Sequence, residues 1–168
     1  LINDEKEFCI TVHFVDEGID TGDIILQETF KISDADNYDS LLELSYKSCP
    51  SVLFEALVKI AEKNYKRIDQ RTIHPVGFYC GMRSDGDEII NWDDTSRNIF
   101  NFIRAISKPG PIARTDNNNI EITINNSSFI KDAPNYIGTT GQILSKTKIG
   151  YLVKTKDSFI EIFDIKGK

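Results

Sequence analysis

The chain has 168 residues, enough for one ordinary domain or two small ones, and its 40% hydrophobic and 27% charged content is that of a soluble globular protein. The net charge of −6 is uneven: residues 1–73 carry 8 Lys and Arg against 15 Asp and Glu, and residues 74–168 carry 12 against 11. Neither part is basic enough for electrostatics alone to hold a nucleic acid, and no apolar run approaches the ~18 residues of a membrane helix.

Three widely spaced cysteines, Cys9, Cys49 and Cys80, show no CxxC spacing and leave an odd one over, so reduced thiols and a cytoplasmic setting are expected. No metal site is expected either. His74 has no His or Cys partner at ligand spacing, and "SDGDE" at Ser84–Glu88 lacks the length and closing Glu of a calcium loop, so it reads as a turn.

In chain order, "CITVHFV" (Cys9–Val15) alternates Ile10, Val12 and Phe14 with Thr11 and His13, the period of a half-buried strand. "DIILQETFKI" (Asp23–Ile32) reads as its hairpin partner. A lone two-stranded hairpin is marginal in water, so it needs a larger sheet, which the first half does not supply.

A helix follows from about Leu41, with Asn37, Asp39 or Ser40 as candidate caps. Pro50 is expected to kink or split it. Residues 64–88, with Pro75, Gly77, Gly81 and Gly86, read as a linker. A second helix is capped by Asp94 or Thr95, carries Ile99, Phe102, Ile103 and Ile106 on one stripe and stops at Pro109.

From Ile112 the character is all-β, with short strands at Ile120–Ile124, Gly141–Lys146, Gly150–Thr155 and Phe159–Ile165. "NNSS" at Asn125–Ser128 reads as a turn, and Trp92 as a core or interdomain anchor. Lys146, Lys148, Lys154 and Lys156 are candidates for a basic face.

"VHFVDEGIDTGDIILQ", followed about seventy residues later by "GMRSDGDEIINWDDTSRNIFNFIRAISKPGP", resembles the folate-dependent formyltransferases, the group of methionyl-tRNA formyltransferase and the sugar-nucleotide N-formyltransferases. The resemblance covers essentially the whole chain. It implies an α/β remnant, the last hairpin and helices of a Rossmann-like domain, followed by a small β-rich OB-like barrel domain with one leading helix.

The implied boundaries are 1–64 for the end of the catalytic domain, 65–88 for a linker and 89–168 for the C-terminal domain. The chain opens at Leu1 rather than Met and is expected to be a piece of a longer protein. The family's Asn-x-His motif does not occur in these residues, and most of the folate site is expected upstream, so the piece alone is expected to be inactive.

By the same resemblance Asp20, which precedes "TGD", is the catalytic carboxylate, and His13 supports it. The cosubstrate would be 10-formyltetrahydrofolate. Formyl transfer is attack by an amine on a formamide-like carbonyl: a carboxylate beside the amine takes its proton, and donors opposite stabilise the oxyanion.

The near-neutral C-terminal half leans the acceptor toward an amino-sugar nucleotide, with initiator methionyl-tRNA as the alternative. A homodimer, or a binding module without catalysis, stays open. Where the family reads something like "KPYPGAF", this chain reads "KPGPIAR" (Lys108–Arg114), a diverged loop.

Overall fold

The computed structural model describes residues 1–74, 76–77, 80–117 and 120–167. Pro75, one of the expected linker breakers, lies outside them. The chain divides into two compact units. One holds Leu1–Glu5, Ser33–Leu41 and Arg83–Lys168, and the other holds Lys6–Ile32 and Leu42–Met82.

The second unit is built on an antiparallel hairpin, β1 (Glu7–His13) and β2 (Ile24–Lys31), in which Cys9 pairs with Thr29 and Val12 with Leu26. Phe8 and Phe30 stack across it at 5.2 Å. Beyond the first helix the chain returns to the hairpin: the backbone groups of Ile68 and Ile24 exchange hydrogen bonds of 2.8 and 3.0 Å. This unit buries few apolar side chains, among them Ile24, Ile25, Val52 and Ala56, and leaves Val15, Ile19, Tyr46 and Phe54 exposed.

Helix α1 (Tyr38–Ala61) starts on a reciprocal cap. Asn37 Oδ1 accepts from the Ser40 amide, and Ser40 Oγ accepts from the Asn37 amide, so two otherwise unpaired donors are satisfied together. The expected break at Pro50 does not occur: the helix runs through it. Pro50 and Tyr46, whose carbonyl loses its donor, are both exposed, so water can take the place of the missing bond.

In the first unit, α2 (Ser96–Ala105) is capped by Thr95, whose hydroxyl accepts from the Asn98 amide. Its apolar stripe is buried at Ile99, Ile103 and Ile106, joined by Phe100. The helix lies against a five-stranded antiparallel sheet of β3 (Ala113–Asn117), β4 (Ile120–Ser128), β5 (Ile143–Lys146), β6 (Gly150–Lys154) and β7 (Phe159–Gly167). Ile124, Val153, Ile160 and Ile162 supply the sheet side of that core. Trp92 packs on it and donates its indole N–H to Thr115 Oγ1 at 3.0 Å.

The strand order is β3-β4-β7-β6-β5, so among the described residues the sheet ends at β3 and β5 and no closed barrel is found. β3 is a strand that the polar sequence "ARTDN" conceals. Asn125–Ser128 form the end of β4 rather than a turn, because Asn126, Ser127 and Ser128 pair with Phe163, Ile162 and Glu161 of β7. Lys154 does not face solvent as a basic surface requires: it is 0% exposed, donates to the carbonyls of Thr155 and Lys156, and lies 4.4 Å from the centre of the Tyr136 ring.

Two arginines of α2 gather the separate stretches of this unit. Arg97 pairs with Asp4 and Asp34 and lies over the rings of Phe100 and Phe129. Arg104, almost wholly buried, donates to the carbonyls of Ser33 and Asp36 and to Asn101 Oδ1.

At the start of α2, Asp157 Oδ1 accepts from the Ser96 amide at 2.7 Å, Ser96 Oγ at 2.9 Å, Thr155 Oγ1 at 3.1 Å and the Ser158 amide at 2.9 Å. Burial pushes its pKa up, but the bonds from Ser96 and Thr155 outweigh that and hold it below the ordinary 3.8. A depressed carboxylate contributes stability that is present above its unfolded pKa and is lost as pH falls through the folded one. Asp157→Ala should therefore cost about 1–3 kcal/mol at pH 7. Urea midpoints at pH 7 and below pH 4 should differ less in the variant than in the parent chain.

Candidate active site

The loop from Phe14 to Asp23 joins β1 to β2 and is held at its base, where the Phe14 amide donates to Asp23 O at 2.9 Å. Gly22 passes so close to Phe14 that a Cβ there would lie 1.7 Å from the Phe14 carbonyl oxygen. Only glycine fits that approach. Asp16 ties the loop across its width: its Oδ1 accepts from Thr21 Oγ1 at 2.6 Å and from the Gly18 amide at 3.0 Å. Those two bonds hold its carboxyl below the usual range.

Asp20 sits at the far side of this loop with φ +55°, the left-handed region that Asp tolerates better than most residues. Its side chain is 86% exposed, and its Oδ1 lies 3.6 Å from His13 Nε2. The loop thus brings together the two site residues expected from sequence. His13 Nδ1 lies 2.8 Å from Phe14 O. A carbonyl can only accept, so Nδ1 carries the hydrogen, and in the neutral ring Nε2 keeps its lone pair.

With the imidazole neutral, its Nε2 and the carboxylate oxygen form a pair of acceptors 3.6 Å apart. Such a pair suits a donor with two or three N–H bonds. An amine or ammonium group meets that description.

Two further residues bear on the loop and were hidden in sequence by a separation of more than forty positions. Arg67 Nε donates to Asp23 Oδ2 at 2.9 Å, and its guanidinium lies 4.7 Å from the centre of the Phe14 ring. Gln70 Nε2 donates to Asp20 O at 2.9 Å and to Gly22 O at 2.7 Å. No local pattern marks either residue, because the contact is made only when residues 67–70 return to the hairpin.

The diverged Lys108–Arg114 loop has a structural use. Arg114 reaches Asp85 at 3.1 Å, Glu88 at 2.9 Å and Glu121 at 3.0 Å, fixing residues 85–88 to β3 and β4. Among the described residues no group of His, Cys, Asp and Glu is placed to hold a metal ion, and no helix is long and apolar enough to cross a membrane.

Comparison with known proteins identifies the family of the chain. Residues 83–168 match the formyl transferase C-terminal domain, and residues 1–57 match the family described as formyl transferase. The chain belongs to the formyl transferase family. It is 35% identical over 168 residues to a methionyl-tRNA formyltransferase of Mycoplasma mycoides subsp. mycoides SC, covering 97% of this chain and 51% of that protein.

Among solved structures it resembles WlaRD, a sugar 3N-formyltransferase crystallised with dTDP and 5-N-formyltetrahydrofolate, at 29% identity and a TM-score of 0.70 over 96% of this chain and 56% of that one. It also resembles a Helicobacter canadensis N-formyltransferase in complex with folinic acid and dTDP-3-aminofucose. There the identity is 27% and the TM-score 0.69, over 98% of this chain and 58% of that one. The chain spans about half the length of the curated relatives it matches.

The loop geometry predicts unequal effects of adding a methyl group at its two glycines. Gly22→Ala should destabilise the chain by about 1–3 kcal/mol and expose the Phe14 amide to exchange, because the obstacle is backbone. Gly18→Ala meets the exposed Thr21 side chain, which can yield by giving up its bond to Asp16, so its urea midpoint should move less.

Proposed function

We propose that this chain is the later portion of an enzyme that transfers a formyl group from 10-formyltetrahydrofolate to the primary amine of initiator methionyl-tRNA. The observation that carries the acceptor is the 35% identity to a methionyl-tRNA formyltransferase across 97% of the chain. This moves the acceptor away from the amino-sugar nucleotide that the near-neutral charge and the "GMRSDGDEIINW" lead-in favoured. The exposed Lys146, Lys148 and Lys156 are the cations left to meet phosphates once Lys154 is buried.

In this reading residues 1–64 close the catalytic domain, 65–88 link, and 89–168 form the C-terminal domain with an OB-like strand arrangement. The bound folate supplies the activated formyl carbonyl. Asp20 and His13 act on the acceptor: the ammonium docks between Asp20 Oδ1 and His13 Nε2, donating a hydrogen bond to each. Asp20 takes one proton as the ammonium becomes the nucleophilic amine; the amine forms the new C–N bond to the formyl carbon, and its second proton leaves with the departing tetrahydrofolate nitrogen, whose bond to that carbon breaks, while His13, fixed by Phe14 O, keeps the carboxylate and the amine in register.

A second reading, with an amino-sugar nucleotide as acceptor, is supported by the likeness to two sugar N-formyltransferase structures.

The test is formyl transfer by the longer protein containing this chain, offered methionyl-tRNA and a panel of amino-sugar nucleotides. Transfer to methionyl-tRNA is expected, and Asp20→Asn should lower kcat by about 10²–10⁴. Replacing Lys146, Lys148 and Lys156 with Ala should weaken tRNA transfer and flatten its salt dependence, by about one phosphate contact per lysine that reaches the backbone. Transfer to a sugar alone would select the second reading.

A further inference from the structure

Asp20 holds a backbone conformation that costs about 1–3 kcal/mol for a residue other than glycine, and such strain persists only where neighbours over-determine it. The Asp20 side chain does little of this. It is 86% exposed, and the ionisable side chain that faces it among the described residues, His13, is 3.6 Å away, beyond a good hydrogen bond. The restraint has to act on the backbone.

Gln70 supplies such a restraint. One –NH₂ group has two hydrogens, and both are used, on Asp20 O at 2.9 Å and Gly22 O at 2.7 Å. These carbonyls belong to the Asp20–Thr21 and Gly22–Asp23 peptide planes, which enclose Thr21 and Gly22, so a single amide holds two planes of the turn. Holding the plane that follows Asp20 restrains its ψ, and so narrows the directions in which the carboxylate can leave the chain.

Gln70 is itself well anchored. It begins a single 3-10 turn, Gln70–Thr72, whose preceding residue Asp69 accepts from the Arg71 amide. Two residues earlier Ile68 is bridged to Ile24 on β2. Gln70 O accepts from the Ile73 and His74 amides, so backbone bonds hold the residue on both sides of its side chain.

We propose that Gln70 is a positioning residue: its carboxamide holds Asp20 in the left-handed conformation that aims the carboxylate at His13 Nε2. The consequence for catalysis rests on the reading of Asp20 as the base; the effect on geometry does not. The bonds are donor-specific. Glutamate matches glutamine in shape but, when ionised, offers only acceptors to two carbonyls that are acceptors already.

Two measurements separate the claims. In this chain, NMR contacts between the His13 ring protons and the Asp20 methylene should be present, and should vanish in Gln70→Glu and Gln70→Ala while the Phe8–Phe30 cross-strand contacts persist. Lowering the pH to protonate the introduced carboxyl restores one donor, so in Gln70→Glu, but not in Gln70→Ala, part of the His13–Asp20 signal should return.

Persistence of that signal in both variants overturns the proposal. Loss of the hairpin contacts together with it does so too, since Gln70 would then be needed for folding rather than for aim. In the longer protein, Gln70→Glu should lower kcat about 10²-fold and leave KM for the formyl donor within about two-fold. If the unsubstituted protein transfers no formyl group, the functional reading fails, and the NMR comparison still decides the role of Gln70.

Discussion

Arg97 and Arg104, one helical turn and more apart on α2, meet oxygens from two short stretches that lie some seventy and ninety residues earlier: the carboxylates of Asp4 and Asp34 and the carbonyls of Ser33 and Asp36. The hairpin lies in sequence between those stretches. Its chain therefore leaves and re-enters the unit organised by α2 at two pinned places. The guanidiniums are largely removed from water and stacked on Phe100 and Phe129, so removal of one acidic partner would leave a poorly solvated charge. A helix near the middle of the sequence thereby decides which early residues count as part of the later unit.

The loop that joins β1 to β2 shows how little of a site lies in the groups that do the chemistry. Asp20 and His13 make few contacts of their own. Their relation is set by a glycine passing under a carbonyl, by Asp16 bridging Thr21 and Gly18, and by an amide from residue 70. The carboxylate stays exposed, and the imidazole is turned by a backbone carbonyl so that its lone pair faces the same space. A neutral imidazole and a carboxylate placed this way are complementary to a group that donates to both.

Much of this was legible locally. The alternation of Ile10, Val12 and Phe14 marked the first strand, Thr95 and the Ile99–Ile106 stripe marked α2, and the "DTGD" spacing marked the loop. What stayed hidden depends on partners distant in sequence. β3 is polar and is held as a strand by its pairing with β4; Asn126–Ser128 are drawn into the sheet by β7; Lys154 is buried because nearby carbonyls and Tyr136 accept its ammonium. Pro50 stays within α1 because the carbonyl it deprives is on a wet face. Gln70 and Arg67 fall in a stretch without periodicity, and their use appears only where Ile68 meets Ile24.

The open sheet of the C-terminal part has one further consequence. A strand with an unpaired row of amides and carbonyls is a template for another chain, and such edges promote aggregation unless they are short or charged. β5 spans only Ile143–Lys146 and ends in a lysine, while on β3 the outward amide and carbonyl of Arg114 are already taken by the Glu88 carbonyl and the Ile90 amide. Adding a strand at β5 would strip water from that lysine for the sake of a few backbone bonds, and at β3 it would have to displace residues 88–90. Both borders are therefore poor templates for a second copy.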